Sequence, residues 1–202
     1  RAVRTLSRLP LPDNLAYFEG LLAREKAEDV RLEIYTALLP LWATEGRVFS
    51  HADMTARMQR SGRLAKPVAP WLDESVLPPL PFRDGVAMTP AEVRHLCACQ
   101  AAMPGLAVNP EAAPWFDLIS FARATTAPFA IALLSAWLTA RADPKFRFVL
   151  GLAGRFGDDT TVLTLARLID PWVKGGRGKM AEYAVAAVAM SGTDLALTTA
   201  DE

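Results

Sequence analysis

Histidine and cysteine are the residue types of this chain best suited to binding a metal ion, and three of them lie close together. His95, Cys97 and Cys99 occur in the run RHLCACQ. On a helix, His95 and Cys99 share one face while Cys97 points to the other side. No CxxC pair completes a tetrahedral ligand set, and His51 is the other histidine. We therefore expect no metal site and no cofactor, but a partly buried helix that carries two small cysteines.

A basic, glycine-rich run, KGGRGK from Lys174 to Lys179, has some features of a phosphate-binding loop. A Walker A motif needs Gly where Val173 stands, and Ser or Thr where Met180 stands. The run is therefore more typical of a turn between two helices. Because it ends where a new helix is predicted to begin, weak anion contact through Lys174, Arg177 and Lys179 stays open.

Two groups of basic residues could contact a polyanion such as a nucleic acid. The groups are Arg57, Arg60, Arg63 and Lys66, and the looser set Arg141, Lys145, Arg147 and Arg155. No acidic residue occurs between Asp53 and Asp73, so the first group is a local concentration of positive charge. Charge clusters of this size are common on solvated helices, and no aromatic residue interleaves with the first group. Nucleic-acid binding through 57–66 and 141–155 is therefore the alternative hypothesis.

The acidic residues do not form a recognisable catalytic set. The candidates for acid–base chemistry are Asp158 with Asp159, Asp73 with Glu74, and Arg83 with Asp84. Each is explained by local structure, since carboxylates begin helices and cap turns, and Asp-Gly is a strong turn dipeptide. The chain has no nucleophile elbow, HExxH helix or Ser-His-Asp set. We expect a protein that is not an enzyme.

The composition is that of a globular, helical protein. The 202 residues include 22 basic and 22 acidic residues and are 51% hydrophobic, so neither disorder nor a wholly polyanion-binding surface is indicated. Alanine and leucine, 35 and 27 residues, favour helices. The chain shows no uninterrupted apolar stretch of membrane-spanning length and no secretory signal, and its two cysteines fit a reducing compartment. A cytoplasmic location and no membrane contact are therefore predicted.

Helix signals divide the chain around a proline-rich connector. Helices are predicted at 14–26, at 30–46 with a bend near Pro40, at 50–59 behind a Ser50 cap, and at 90–102 behind a Thr89 cap. The segment 67–90 holds six of the 15 prolines and many apolar residues, so we expect it to be extended but packed. The predicted organisation is an N-terminal helical region, 1–66, the connector, 67–90, and a repeat region, 91–202.

The C-terminal region contains landmarks that recur at one interval, which is the signature of stacked repeats. Residues of the same type stand 35 positions apart in the pairs Trp137 and Trp172, Gly157 and Gly192, and Asp159 and Asp194. Each glycine is expected to end a helix in the left-handed conformation, and the acidic residue after it to start the next helix. The tryptophans are expected to anchor the core. Helix pairs of this kind bury their apolar faces by stacking, which predicts an α-solenoid segment.

Several of these segments resemble a bacterial family, the molybdate metabolism regulator-like proteins, which often carry a WGR domain beside a long helical domain of unknown function. The similar segments are VLPPLPFRDG, TPAEV, FAIALLSAWL, GLAGRFGDDTTVLTLARLIDPW and VAAVAMSGTDLAL, between about residue 70 and the end. The resemblance implies HEAT-like repeats and no catalytic residue. The KGGRGK run is more basic than the corresponding segment of the family.

Because the chain starts at Arg1 and stops at Glu202, soon after a predicted helix begins, we expect it to be a fragment of a longer protein. The absence of a catalytic set and the recurring helices favour a non-catalytic scaffold. It is predicted to bind a protein partner or a neighbouring domain of the same longer chain.

Overall fold

The computed structural model describes residues 14–192, and this part of the chain is helical apart from loops, short 3₁₀ turns and isolated β-bridges. Its nine α-helices are α1 Asn14–Leu22, α2 Glu28–Thr44, α3 His51–Arg60, α4 Pro90–Ala101, α5 Ala113–Leu118, α6 Arg123–Thr139, α7 Phe148–Phe156, α8 Asp159–Lys174 and α9 Gly178–Ser191. None of them is long and apolar enough to cross a membrane. The predicted all-α class is confirmed. One hydrophobic core includes residues from the N-terminal helices, the connector and the C-terminal helices.

The helix starts that were predicted from capping residues are confirmed. Ser50 caps α3 in a reciprocal capping box with Asp53, and Thr89 caps α4 in the same way with Glu92. In both cases a side-chain oxygen satisfies a backbone N–H that the first helical turn leaves without a partner. Local hydrogen bonds therefore determine the residues at which α3 and α4 begin.

The ends of the first two helices differ in how well the sequence predicts them. Helix α1 ends at Leu22, four residues before the predicted end. The Glu25 carboxylate accepts hydrogen bonds from the N–H groups of Lys26 and Ala27, at 2.8 and 2.7 Å, and so closes a turn there. Helix α2 continues past Pro40 to Thr44 and ends close to the predicted glycine stop.

The proline-rich connector is irregular and mostly packed against helices. Leu72, Leu80 and Phe82 are buried in the core, as expected, whereas Val76 is 74% exposed. Phe82 forms an isolated antiparallel bridge with Ile119, which attaches the connector to the chain after α5. Prolines prevent a helix here, but apolar side chains keep the segment on the core.

The C-terminal helices form two adjacent pairs. Helix α6 packs on α7, α8 packs on α9, and the pairs meet through α7 with α9 and α6 with α8. Trp137, at the end of α6, is fully buried, and its ring centroid lies 6.1 Å from that of Trp172 at the end of α8. Equivalent helices of the two pairs thus lie side by side.

The turns that follow α6 and α8 have the same hydrogen-bond pattern at the 35-residue interval. The bonds run from Ala140, Arg141 and Ala142 to Ala136, Leu138 and Trp137, and from Gly175, Gly176 and Arg177 to Pro171, Val173 and Trp172. The backbone is left-handed at both Arg141, with φ of 65°, and Gly176, with φ of 72°. The internal similarity therefore extends from residue types to backbone geometry.

The two recurring glycines end helices for different reasons. Gly192 has a left-handed φ of 59°, as predicted, but Gly157 is extended, with φ of −76°, so the left-handed prediction is wrong there. A Cβ on Gly157 would lie 2.5 Å from the Ala153 oxygen, so close approach excludes a side chain. Asp158 caps α8 and Asp159 occupies its first turn. The predicted partner Asp194 lies outside the described residues.

Candidate anion-binding cleft

A cleft of about 320 Å³ lies among the three N-terminal helices. We call it the arginine cleft; its lining residues are Glu19, Leu22, Ala23, Arg31, Tyr35, Arg47, Arg57 and Arg60. Helix α1 supplies the carboxylate, α2 and the loop after it supply two arginines, and α3 supplies two more. Four guanidinium groups therefore share this cleft with one carboxylate.

Arg57 is a largely enclosed cation of the cleft. Its guanidinium lies 4.6 Å from the ring centroids of both Trp42 and Phe49, and its side chain is 19% exposed. Aromatic faces attract a cation and hold the planar group in place. Burial, together with repulsion from Arg47, holds the pKa of Arg57 below its usual range. The negative charge of a bound anion would counteract both the burial penalty and the repulsion from Arg47.

The carboxylate of Glu19 partly neutralises the positive charge of the arginine cleft. Its Oε1 atom accepts a hydrogen bond of 3.0 Å from the Trp42 indole, pairs with Arg47, and lies 4.0 Å from the Arg57 guanidinium. An anion bound in this cleft would meet the same indole and guanidinium groups that the Glu19 carboxylate contacts. One negative charge leaves an excess of three positive charges among the lining residues.

The other two arginines have contacts that are mainly with backbone oxygen atoms. Arg31 donates to the carbonyls of Leu22 and Glu25, at 3.4 and 3.2 Å, and Arg60 donates through Nε to the Ala56 carbonyl at 3.1 Å. Arg31 also lies 3.8 Å from a carboxylate oxygen of Glu111, whereas the carbonyl contact of Arg60 orients its guanidinium without cancelling the charge. The positive charge of Arg60 therefore remains available at the rim of the cleft.

Tyr35 adds a neutral hydroxyl group to the arginine cleft. Burial, and then the negative charge of Glu111, raise the pKa of Tyr35 to about 12. The phenol thus keeps its proton across the physiological range. Neither histidine of the chain lines this cleft. Guanidinium and phenol groups suit the binding of a carboxylate or a phosphate rather than proton transfer at neutral pH.

A second cleft, of about 400 Å³, surrounds His51 and carries both signs of charge. Its lining includes Arg47, Val48, Phe49, His51, Phe82, Arg83, Asp84, Pro114, Asp117 and Leu118. The Nε2 atom of His51 lies 2.6 Å from the buried carboxylate of Glu92, which also completes the α4 cap. Burial opposes the charge of Glu92, but hydrogen bonds from Thr89 and His51 outweigh burial and keep its pKa below the usual range. The pair therefore ties the start of α3 to the start of α4.

The first predicted basic group is divided between different environments. Arg57 and Arg60 line the arginine cleft, but Arg63 is only 10% exposed and pairs with Glu28 at 2.7 Å and Glu111 at 2.6 Å. Lys66 is exposed after the 3₁₀ turn Arg63–Ala65. The four residues do not form one continuous positive surface, because Arg63 is enclosed in ion pairs with two carboxylates.

Most of the remaining predicted basic residues also have partners. Arg147 donates to the carbonyl of Pro104 at 3.0 Å, and Arg155 lies over the Phe116 ring at 5.6 Å. In the KGGRGK turn, Lys174 pairs with Asp170 at 3.6 Å, Lys179 pairs with Glu182, and Arg177 donates to the Ala142 carbonyl. Arg141 and Lys145 are exposed in the turn after α6. These residues mostly fasten neighbouring segments together.

Sequence reasoning missed two of the four arginines of the cleft, Arg31 and Arg47, and also Tyr35. Arg31 and Tyr35 stand four residues apart on α2, a spacing that places both on one helix face. Arg47 directly follows the glycine that ends α2. The spacing of Arg31 and Tyr35 was a local signal, but their approach to Arg57 depends on how α2 packs against α3.

Comparison with known proteins finds no match: no family model, curated protein or solved structure is similar to this chain. The resemblance between about residue 70 and the end therefore stays a prediction. The arginine cleft is formed by residues 19–60, before the segments that carry that resemblance.

Proposed function

We propose that this chain is a non-catalytic interaction domain that binds acidic side chains of a protein partner, or of a neighbouring domain, in the arginine cleft. The observation that carries the proposal is the convergence of four arginines on a cleft with one carboxylate. Guanidinium groups form paired hydrogen bonds with carboxylates, and partial burial strengthens such contacts relative to contacts in open solvent.

An acidic protein segment fits this cleft better than a nucleic acid does. Nucleic-acid binding uses basic residues spread along a phosphate backbone, and it draws on many of them at once. Here the positive excess is confined to about 320 Å³, while Arg63 and Lys174 are paired with carboxylates. The chain as a whole has equal numbers of acidic and basic residues. A compact ligand with one or two negative groups matches this distribution.

We also propose that the C-terminal helices are HEAT-like repeats that support the N-terminal helices. The resemblance to molybdate metabolism regulator-like proteins implies such repeats. The proposal is supported by the side-by-side pairs α6–α7 and α8–α9 and by turns that match at 35 residues. Arg123, at the start of α6, donates to the carbonyls of both Gly157 and Ser191, at the ends of α7 and α9. Stacked pairs of this kind commonly form extended binding surfaces.

The test measures binding of a fluorescein-labelled, glutamate-rich peptide by fluorescence anisotropy at low ionic strength. We expect wild type to bind and the affinity to fall with added salt, because the contacts are between charges. The double variant Arg57→Gln/Arg60→Gln should lose about tenfold or more in affinity, since a hydrogen bond to a charged group contributes about 1.5–3 kcal/mol. Circular dichroism verifies that the variant is folded.

The matched control is the double variant Lys145→Gln/Arg167→Gln, which also removes two positive charges, both exposed and outside the cleft. It should bind the peptide as wild type does. Equal losses in both variants would show that only net charge matters, and no wild-type binding at low salt would refute the proposal. Tighter binding to duplex DNA that depends on Arg57 and Arg60 would instead support the nucleic-acid alternative.

A further inference from the structure

A buried group of three potential metal ligands lies beside α4, and none of the three lines either cleft. His95 and Cys99 lie on α4, and Glu111 lies in the loop before α5. All three are buried, and one donor atom from each lies within 4.8 Å of the other two. The three side chains offer nitrogen, sulfur and oxygen to one small volume.

The hydrogen bonds around His95 leave its Nε2 atom without a proton. The Ser61 hydroxyl donates its proton to the Met58 carbonyl at 2.7 Å, so towards His95 its oxygen is an acceptor. The Nδ1 atom of His95 lies 3.4 Å from this oxygen and therefore carries the ring proton. The lone pair of Nε2 consequently faces Cys99.

Glu111 is held in place with one oxygen atom left over. Arg63 donates from Nε and Nη2 to Oε2 of Glu111, at 3.0 and 2.6 Å. The Glu111 N–H donates to the Asn109 side chain at 2.8 Å, and that side chain donates to the Cys99 carbonyl at 2.6 Å. Among the described residues, Oε1 accepts no hydrogen bond and lies 3.8 Å from a nitrogen of Arg31. Glu111 thus offers a second carboxylate oxygen that Arg63 does not bind.

The separation between the donor atoms suits a tetrahedral ion. The Cys99 Sγ and His95 Nε2 atoms are 3.5 Å apart. Zinc bonds of about 2.3 Å to sulfur and about 2.0 Å to nitrogen, at a tetrahedral angle, place these donors roughly 3.5 Å apart. The spacing of His95 and Cys99 on one helix face therefore already matches two sites of a zinc coordination sphere.

We propose that His95, Cys99 and Glu111 form a buried site for a thiolate-binding divalent cation, Zn²⁺, with a fourth position open to a further donor. Binding breaks the S–H bond of Cys99, forms a bond between zinc and sulfur, and releases the proton to solvent. The thiolate and the carboxylate supply two negative charges to the ion, while Arg63 orients the carboxylate through its other oxygen.

The test titrates metal-free full chain with Co²⁺, which replaces zinc and reports its ligands by absorption. We expect one equivalent to give tetrahedral cobalt bands and a thiolate-to-cobalt charge-transfer band, both removed by added Zn²⁺. Cys99→Ser should abolish the charge-transfer band and weaken binding by more than the roughly 10- to 100-fold that loss of a ligand's supporting partner causes. Cys97→Ser is the matched control, because Cys97 is equally buried but outside the group.

The outcomes separate a metal site from a simple Cys99–His95 hydrogen bond. Absence of the charge-transfer band in wild type, or its persistence in Cys99→Ser, overturns the proposal, and so does its equal loss in both cysteine variants. If Cys99→Ser fails to fold, X-ray absorption on zinc-loaded wild type decides the matter. One sulfur with nitrogen and oxygen ligands supports the site, and a sphere without sulfur refutes it.

Discussion

The close contact between α7 and α9 makes Gly154→Ala an informative perturbation of the C-terminal helix stack. A Cβ on Gly154 would lie 2.3 Å from the Ala187 carbonyl oxygen and 3.0 Å from its carbonyl carbon. These opposing atoms are backbone atoms, so they cannot rotate away as a side chain does. The two helices must therefore separate by roughly 1 Å, because ordinary contact begins near 3.4 Å.

The expected cost follows from two opposing effects. Overpacking a well-packed interior costs about 1–3 kcal/mol, and backbone opposition places this site at the upper end of that range. Alanine has a higher helix propensity than glycine, and this difference offsets about 1 kcal/mol of the cost. We expect Gly154→Ala to lower the free energy of unfolding by about 2 kcal/mol. For a chain of this size, that corresponds to a decrease in Tm of about 4–8 °C.

Urea denaturation followed by circular dichroism measures this change, and the m-value should stay constant. Gly178→Ala is the control, because a Cβ on this first residue of α9 meets nothing within 4 Å. The control should differ from wild type by less than about 0.5 kcal/mol or be slightly more stable. A Gly154→Ala protein at least as stable as wild type would show that α7 and α9 do not approach as described.

Three further predictions concern the core and its buried charges. Trp137→Ala and Trp172→Ala should each lower the free energy of unfolding by about 3–5 kcal/mol in denaturation experiments, whereas a loss below about 1 kcal/mol would place the ring outside the core. The lowered pKa of Glu92 contributes stability that is present above its ordinary value of 4.5 and is lost as the pH falls through its lower folded value. Glu92→Gln should therefore flatten the acid side of the stability profile, and an unchanged profile would contradict this. Arg63→Met removes the two short hydrogen bonds to the buried carboxylate of Glu111 and leaves its 3.8 Å contact with Arg31. It should cost about 3 kcal/mol in metal-free protein, the lower end of the range for breaking a buried pair, and adding Glu111→Gln should restore part of the loss. Equal stability of the single variant and wild type would exclude the Arg63–Glu111 ion pair as a stabilising contact.

Features that depend on neighbouring residues were predictable from the chain alone. Ser50 and Thr89 cap helices because their side chains reach backbone N–H groups three residues away. The all-α class followed from residue types and apolar periodicity. The 35-residue interval was visible because the two turns with matching hydrogen bonds also carry matching residue types, such as Trp137 and Trp172.

Local sequence patterns were less informative where the packing of helices determines the conformation of the backbone. Gly157 and Gly192 occupy equivalent positions, yet only Gly192 is left-handed. At Gly157 the constraint is the space left by Ala153 and Thr161, which depends on how α7 meets α8. The same residue type thus serves two physical requirements that the sequence cannot distinguish.

The candidate sites show the same division between local and long-range information. Arg57 and Arg60 are recognisable as a basic pair on one helix, and His95 and Cys99 share a face by helical spacing. Their partners come from elsewhere: α2 and its following loop complete the arginine cleft, and the loop before α5 brings Glu111 to α4. Helix geometry determines which side chains of one segment point together. Only the packing of separate helices, driven by the burial of their apolar faces, decides which charged and metal-binding groups meet across the chain.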